Sequence, residues 1–265
     1  MSLTPEQIKA RDGKVTASFA PYLMAGNREK IYTEWLRLVG SPDYEPEDLS
    51  DSWPVQFGSY IEPFALDWHQ RRTGRELTRR GEVVVHPDRP YVSCTLDAYR
   101  ADDDTVIDCK AIGAWNTLDK VGAFYLPQMV VQRGCVGAQG AALLIVHGGA
   151  APQEWATEIG HKYAALVWER VDEFWQTVLD LTPPVEMPAI AAPVPAVREY
   201  DLTGNNEWAS FAADWIERRS AAKIFVKASE ALKEMVPADA VRCIGHGIKI
   251  ARNKAGSLTI TETTP

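Results

Sequence analysis

The sequence predicts an α/β fold, a mixed sheet flanked by helices, with a small α+β appendage behind it. Stretches with apolar residues at helical spacing alternate with short β-rich runs. Of the 265 residues, 46% are hydrophobic, enough for a substantial core. Five prolines between Thr182 and Val197 separate these elements from a last, basic stretch.

A short helix opens the chain. Asn27 to Val39 follows, with Ile31, Trp35, Leu36 and Leu38 at helical spacing, and the loop at Ser41 and Pro42 ends it. The next helix is expected from about Trp53 to Thr73, with Phe57, Ile61, Phe64, Ala65 and Trp68 as its apolar stripe and Gly74 as its stop. Glu62 falls inside it, next to the buried face. Three β-rich runs come next: Glu82 to His86, Tyr91 to Tyr99 and Thr105 to Lys110. The turn-forming segments between them predict an antiparallel meander.

A helix from Leu118 to Cys135, interrupted by Pro127 near Gln128, leads to an apolar strand, Ala141 to His147. A partner strand, Glu154 to Ile159, and an amphipathic helix, His161 to Leu179, complete the core. Residues 1–181 are therefore expected to form one domain and 182–197 a semi-extended linker that does not pack. Residues 198–265 form a small basic region, with one or two helices from Glu207 to Met235 and a hairpin from Val241 to Thr261.

The net charge of −8 excludes a protein that coats nucleic acid indiscriminately, because such binding needs clustered cations. Charge is nonetheless segregated. Arg71, Arg72, Arg75, Arg79 and Arg80 crowd one helix end, and nine Lys/Arg between Arg218 and Lys254 face three acids. Cys94, Cys109, Cys135 and Cys243 contain no C-x-x-C pair, which argues for core thiols and against zinc or iron–sulfur ligation. No apolar run of about 18 residues is present, so a cytoplasmic protein with no membrane contact is expected.

The chemistry concentrates in two segments, Cys94-Thr-Leu-Asp97 and Val106-Ile-Asp108-Cys-Lys110. Residues two apart on a strand share a face, so Asp108 and Lys110 point one way and Ile107 and Cys109 the other. A tight hairpin would bring Asp97 beside them. Carboxylates at one spot repel unless a cation lies between them, and hard oxygen donors favour Mg²⁺ or Mn²⁺ over zinc. Phosphodiester hydrolysis uses such a site, with a lysine to position water. An isolated D-x-K more often has no role, but Asp108 stands in an apolar strand, where a charge needs a partner or a metal. Glu62 and Gln128 are candidates to complete the coordination.

Five pieces in order carry a resemblance: Arg11-Asp-Gly-Lys-Val-Thr-Ala-Ser18, Phe57-Gly58-x-x-x-Glu62, Thr95-Leu-Asp97, Asp108-Cys-Lys110 and Tyr125-Leu-Pro-Gln128. Together they resemble the lambda exonuclease or YqaJ-type phage recombinases of the PD-(D/E)-x-K nuclease superfamily. The tail, with Ala228-x-x-x-Leu232-Lys-x-Met235 and Gly245-His-Gly-Ile248, is similar to that of many YqaJ-type proteins. The resemblance implies a restriction-endonuclease-like core and 5′→3′ digestion of one strand of linear duplex DNA from its ends. It also implies two Mg²⁺ ions, with Mn²⁺ as a substitute, a homotrimer, a phage single-strand-annealing protein as partner, and a phage or prophage origin in a bacterial host. On matching positions, Asp97 and Asp108 would hold metal, with the Cys109 carbonyl as a further ligand. Lys110 would orient the attacking water, Glu62 and Gln128 would support the second metal or that water, and Arg11 with Ser18 would hold the 5′-phosphate. Asp108 stands where the best-known members carry Glu. The rival readings are a RecB-like or restriction-type endonuclease and a non-catalytic DNA-end-binding factor.

Overall fold

Thr4 and Gln7 cap the first helix, α1 (Pro5–Arg11), reciprocally: each side chain bonds the other residue's backbone N–H. Gly13, at φ +64°, then turns the chain into β1 (Val15–Thr16). The computed structural model describes residues 4–113, 115–193 and 202–263, and the chain divides into two compact units, residues 1–197 and 198–265.

After β1 the first unit continues through α2 (Ala20–Met24), α3 (Arg28–Leu38) and α4 (Trp53–Thr73). Asn27 caps α3, and Gly74, in the left-handed conformation, stops α4 at the expected place. The strands β2 (Val83–Val85), β3 (Val92–Thr95), β4 (Ala98–Arg100) and β5 (Thr105–Ile112) precede α5 (Leu118–Val136). The unit ends with β6 (Gly140–His147), β7 (Gln153–Ala156) and α6 (His161–Leu179).

The strands between 82 and 112 do not form one meander. They divide between a three-stranded sheet, β1-β3-β2, and a four-stranded sheet, β4-β5-β6-β7. The division falls at Leu96 and Asp97, within the run expected as a single strand. Leu96 still bonds the 81–82 segment through its N–H and C=O, whereas Ala98 already pairs with Ile107 of β5. In the four-stranded sheet, β5 and β6 are parallel and both edge pairs are antiparallel, so the sheet is mixed.

This sheet is covered on both faces. Val106, Leu143 and Ile145 belong to one core with Met129, Val130, Val167 and Phe174 of α5 and α6. Ile107, Cys109, Ala142 and Leu144 belong to a second core with Ala65 and Leu66 of α4. Hence β6 reads as an unbroken apolar run. The buried stripe of α4 is Ala65, Leu66 and His69, while Phe64, expected in it, points outward at 56% exposure. Pro127 does not interrupt α5; it is buried in a helix that continues to Val136.

The proline-rich segment also differs from expectation. As far as it is described, residues 182–193 lie on the first unit as an irregular strap; residues 194–197 of the expected linker lie outside the described residues. The Ile190 N–H donates to the Met24 carbonyl at 2.8 Å, Arg170 donates to the Pro188 carbonyl at 3.0 Å, and Met187, Ile190 and Ala192 pack on the core. Prolines allow such packing because they leave fewer N–H groups to satisfy.

Among its described residues the second unit holds one helix, α7 (Asn206–Glu234), capped by Asn205, and the strands β8 (Arg242–Gly245), β9 (Ile248–Arg252) and β10 (Leu258–Glu262). They form a three-stranded antiparallel sheet, one strand more than the expected hairpin. His246 and Gly247, both at positive φ, make the tight β8–β9 turn. Residues 198–201 and 264–265 of the expected C-terminal region lie outside the described residues.

Gly26 lies under the strap at φ +63°, where a Cβ would come within 2.7 Å of the Met187 carbonyl oxygen. Gly26→Ala is expected to cost about 2–4 kcal/mol, from left-handed strain plus overpacking, and to expose the strap to protease. Thermal unfolding and limited proteolysis measure both.

Candidate active site

The β4–β5 hairpin sets the geometry. Its turn is held by Arg100, which bonds Asp103 of the turn and Glu154 of β7, and by the Tyr99 hydroxyl, which donates to Asp104 at 2.6 Å. In the resulting register Ala98 faces Ile107, and Asp97, one residue before β4, comes up against β5. Its Oδ2 accepts the Cys109 N–H at 2.7 Å, so the hairpin brings Asp97 to Asp108 as the sequence suggested.

Asp108 is 2% exposed on the α5 face of β5. Its Oδ2 lies 2.6 Å from Lys110 Nζ, two residues on and on the same face. Its Oδ1 accepts two amide N–H bonds, from Gln128 at 2.5 Å and from Gln132 at 2.8 Å. Lys110 Nζ also sits 4.7 Å from the centre of the Tyr125 ring, on α5. The Cys109 side chain packs into the other core, which leaves only its main chain on the site side.

Burial, then the Asp108 charge, pushes the Asp97 carboxyl up to about 8; Lys110 opposes this and Glu62 adds to it. For Lys110 burial acts downward, but the Asp108 and Asp97 carboxylates outweigh it and the ammonium is held above its usual range. Lys110 is therefore a cationic donor here and not a base.

These groups line one cleft of about 230 Å³. Glu62 of α4 lines it, half-buried, and so do Arg11 and Ser18 of the N-terminal segment. The N-terminal segment is brought there by the parallel β1–β3 pairing and by a bond from the Gln7 amide to the Gly81 carbonyl at 2.6 Å. Arg11 is half-buried and, among the described residues, is in no salt bridge; burial, then neighbouring Arg37, lowers its pKa. The Ser18 hydroxyl lies 3.1 Å from that of Thr16.

Sequence reasoning missed Gln132, which is 1% exposed. Its signal was a second glutamine one helical turn after Gln128 in an apolar stretch. The arginine cluster at 71–80 is largely neutralised: Arg75 pairs with Asp102 and Asp103, Arg79 with Glu82, and Arg80 with Asp67.

Among the described residues, no three His, Cys, Asp or Glu side chains stand close enough together to hold a metal ion by themselves. Two carboxylates do converge, and the buried Gln128 Oε1, Gln132 Oε1 and Thr95 Oγ1 lack hydrogen-bond partners. Hard oxygen donors around a carboxyl whose pKa is raised by burial and by the adjacent Asp108 suit a small divalent cation completed by water.

The model of the YqaJ-like viral recombinase domain matches residues 7–139, half of the chain and every residue of the cleft. This chain belongs to the YqaJ-like viral recombinase family. It is similar to the protein YqaJ of Bacillus subtilis (strain 168), 23% identical over 208 residues that cover 76% of this chain. The matched region spans 64% of that relative's length. The fold is similar to the crystal structure of an alkaline exonuclease (LHK-Exo) from Laribacter hongkongensis, at 20% identity and a TM-score of 0.57. That similarity covers 67% of this chain and 94% of the other, and the structure of LHK-Exo in complex with dAMP matches equally. The restriction-endonuclease-like core of this family member is thus a mixed sheet with α4 on one face and α5 and α6 on the other. Among the described residues no helix is long and apolar enough to cross a membrane.

The raised Asp97 pKa has a measurable consequence. Between about 4 and 8 the folded chain keeps a proton that the unfolded chain has released, so stability falls as pH rises through that window. In chelator, the thermal midpoint is expected to fall more steeply from pH 5 to pH 8 in the wild type than in Asp97→Asn, which keeps an acceptor for Cys109. Equal slopes would show that Asp97 titrates normally.

Proposed function

We propose that this family member is a metal-dependent exonuclease that digests one strand of linear duplex DNA in the 5′→3′ direction, leaving a 3′ overhang for a single-strand-annealing protein. The observation that carries this reading is the convergence of Asp97, Asp108 and Lys110 in one cleft with Glu62 and two buried amides.

Asp97 and Asp108 would hold Mg²⁺, two ions in the fullest form and Mn²⁺ as a substitute, with Glu62 and the Cys109 carbonyl as further oxygen donors. When bound, such an ion neutralises charge developing on a phosphodiester and lowers the pKa of its water. Lys110, kept protonated by its carboxylate neighbours, orients the attacking water and donates toward the reacting phosphate. Gln128 and Gln132 fix the Asp108 carboxylate by holding one oxygen, while the other lies against the Lys110 ammonium.

Direction needs recognition of an end, because both strands offer the same bond chemistry. Arg11, half-buried and in no salt bridge among the described residues, suits a terminal 5′-phosphate, which a guanidinium binds through paired hydrogen bonds, with Ser18 beside it. A ring of three chains would keep the enzyme on its substrate. The outward aromatic residues of α4, Trp53, Tyr60 and Phe64, support burial of that helix in an assembly.

On end-labelled linear duplex with Mg²⁺, Asp108→Asn and Lys110→Met are each expected to lower the rate by at least about 10²-fold, the scale of losing one transition-state stabilising group. Near-wild-type rates in either variant would sink the catalytic assignment, and cleavage of closed circular duplex would favour the endonuclease reading. Arg11→Ala is expected to slow digestion of 5′-phosphorylated ends and to narrow their advantage over 5′-hydroxyl ends. A wild type indifferent to the phosphate overturns that role. Light scattering of the full chain is expected to give about three times 29.4 kDa.

A further inference from the structure

The cleft leaves one large feature unexplained. α7 is 29 residues long and none of them is buried. A helix of that length would ordinarily bury an apolar stripe. Instead Trp208 and Trp215 are 58% and 61% exposed.

Seven residues apart, these two indoles lie on the same side of the helix. From Trp215 a row continues at four-residue steps through Arg219, Lys223 and Lys227, each step rising about 6 Å along the axis. A shallow groove runs along this face, with Val226 between the cations. The Arg219 guanidinium lies over the Trp215 ring, 5.0 Å from its centre. Among the described residues Arg219, Lys223 and Lys227 enter no salt bridge, whereas Arg218 pairs with Asp214. Glu217 falls on the opposite side of the helix, and on the cation side the acids Glu230 and Glu234 come only past the row, Glu230 bordering the groove at its far end.

Stem and charge are arranged here in a way that suits one class of partner. A row of unpaired cations at regular rise tracks a phosphate backbone, and exposed indoles offer stacking surfaces to bases. Duplex DNA keeps its bases stacked and out of reach of such rings, so the aromatic part of the face selects against duplex. An apolar protein partner would leave three cations desolvated without carboxylates to meet them.

We propose that this face of α7 binds single-stranded DNA through its backbone and bases, without sequence preference. The inference rests on the exonuclease reading for its biological substrate, the strand that digestion leaves unpaired. The surface itself is argued from the second unit alone.

The test uses the full chain in EDTA, so that nothing is hydrolysed, with fluorescein-labelled oligo(dT) of 20 nucleotides followed by anisotropy across a salt series. Lys223→Gln/Lys227→Gln is expected to weaken binding and to make the dependence of log K on log salt shallower by about 1.4, close to 0.7 per lost phosphate contact. Trp215→Ala is expected to weaken binding roughly tenfold while leaving the salt slope unchanged. Since none of these side chains is buried, circular dichroism should be unaltered. The proposal is overturned if the wild type does not bind, if the variants bind with wild-type affinity and slope, or if they alter only the mass seen by light scattering, which would make the face a protein contact. A wild type that binds oligo(dT) through this face yet fails to digest end-labelled duplex with Mg²⁺ supports the proposal while removing the exonuclease reading.

Discussion

The site depends on a charge buried inside a sheet. Asp108 stands in the middle of β5 with almost no exposure, where an isolated carboxylate would be strongly disfavoured. Its neighbours make the position tenable: an ammonium at one oxygen and two amides at the other. Those amides come from α5, one turn apart, so α5 must run unbroken through Pro127 and lie along β5 in one rotation. Asp97 in turn needs the hairpin register, since its carboxylate is tied to the Cys109 backbone N–H. The constraint on one carboxylate therefore fixes how α5, β4 and β5 meet.

Such an arrangement is electrostatically tense. Asp97 is held protonated toward neutral pH by burial and by the adjacent Asp108, while for Lys110 burial acts the other way and the Asp108 carboxylate, above all, keeps it charged. The buried Gln128 and Gln132 carbonyl oxygens, without hydrogen-bond partners among the described residues, line the same space. A core built for stability alone would replace these groups with apolar side chains at little or no loss. The proposed cation would relieve this crowding, which marks the cleft off from the neutralised surface pairs at Arg75, Arg79 and Arg80.

The two units use charge in opposite ways. In the first, most arginines are committed to carboxylates, and the half-buried Arg11 of the cleft is in no salt bridge among the described residues. In the second, α7 carries cations and acids in equal number, but Arg219, Lys223 and Lys227 follow one another at four-residue steps with no salt bridge among the described residues, so a chain of net charge −8 still presents a cationic edge. Net charge thus says little about DNA contact, because screening over about 10 Å makes the local arrangement decisive.

Much was legible in the sequence because it depends on local rules. The ends of α3, α4 and α6 follow from an asparagine cap, a left-handed glycine and apolar spacing. The shared face of Asp108 and Lys110 follows from the two-residue period of a strand, and the charged residue in an apolar run announced the site. What sequence spacing did not contain was long-range pairing. Whether Leu96 and Ala98 belong to one strand or two depends on which segments bond them, and that is decided by Glu82 and Ile107, far apart along the chain. The role of Gln132 depends on the rotation of α5 against β5. The packing of the proline-rich strap depends on a carbonyl of Met24 and on Gly26, more than 150 residues upstream. Periodicity records which side of an element is apolar, but the partner that covers that side is chosen only when the elements come together.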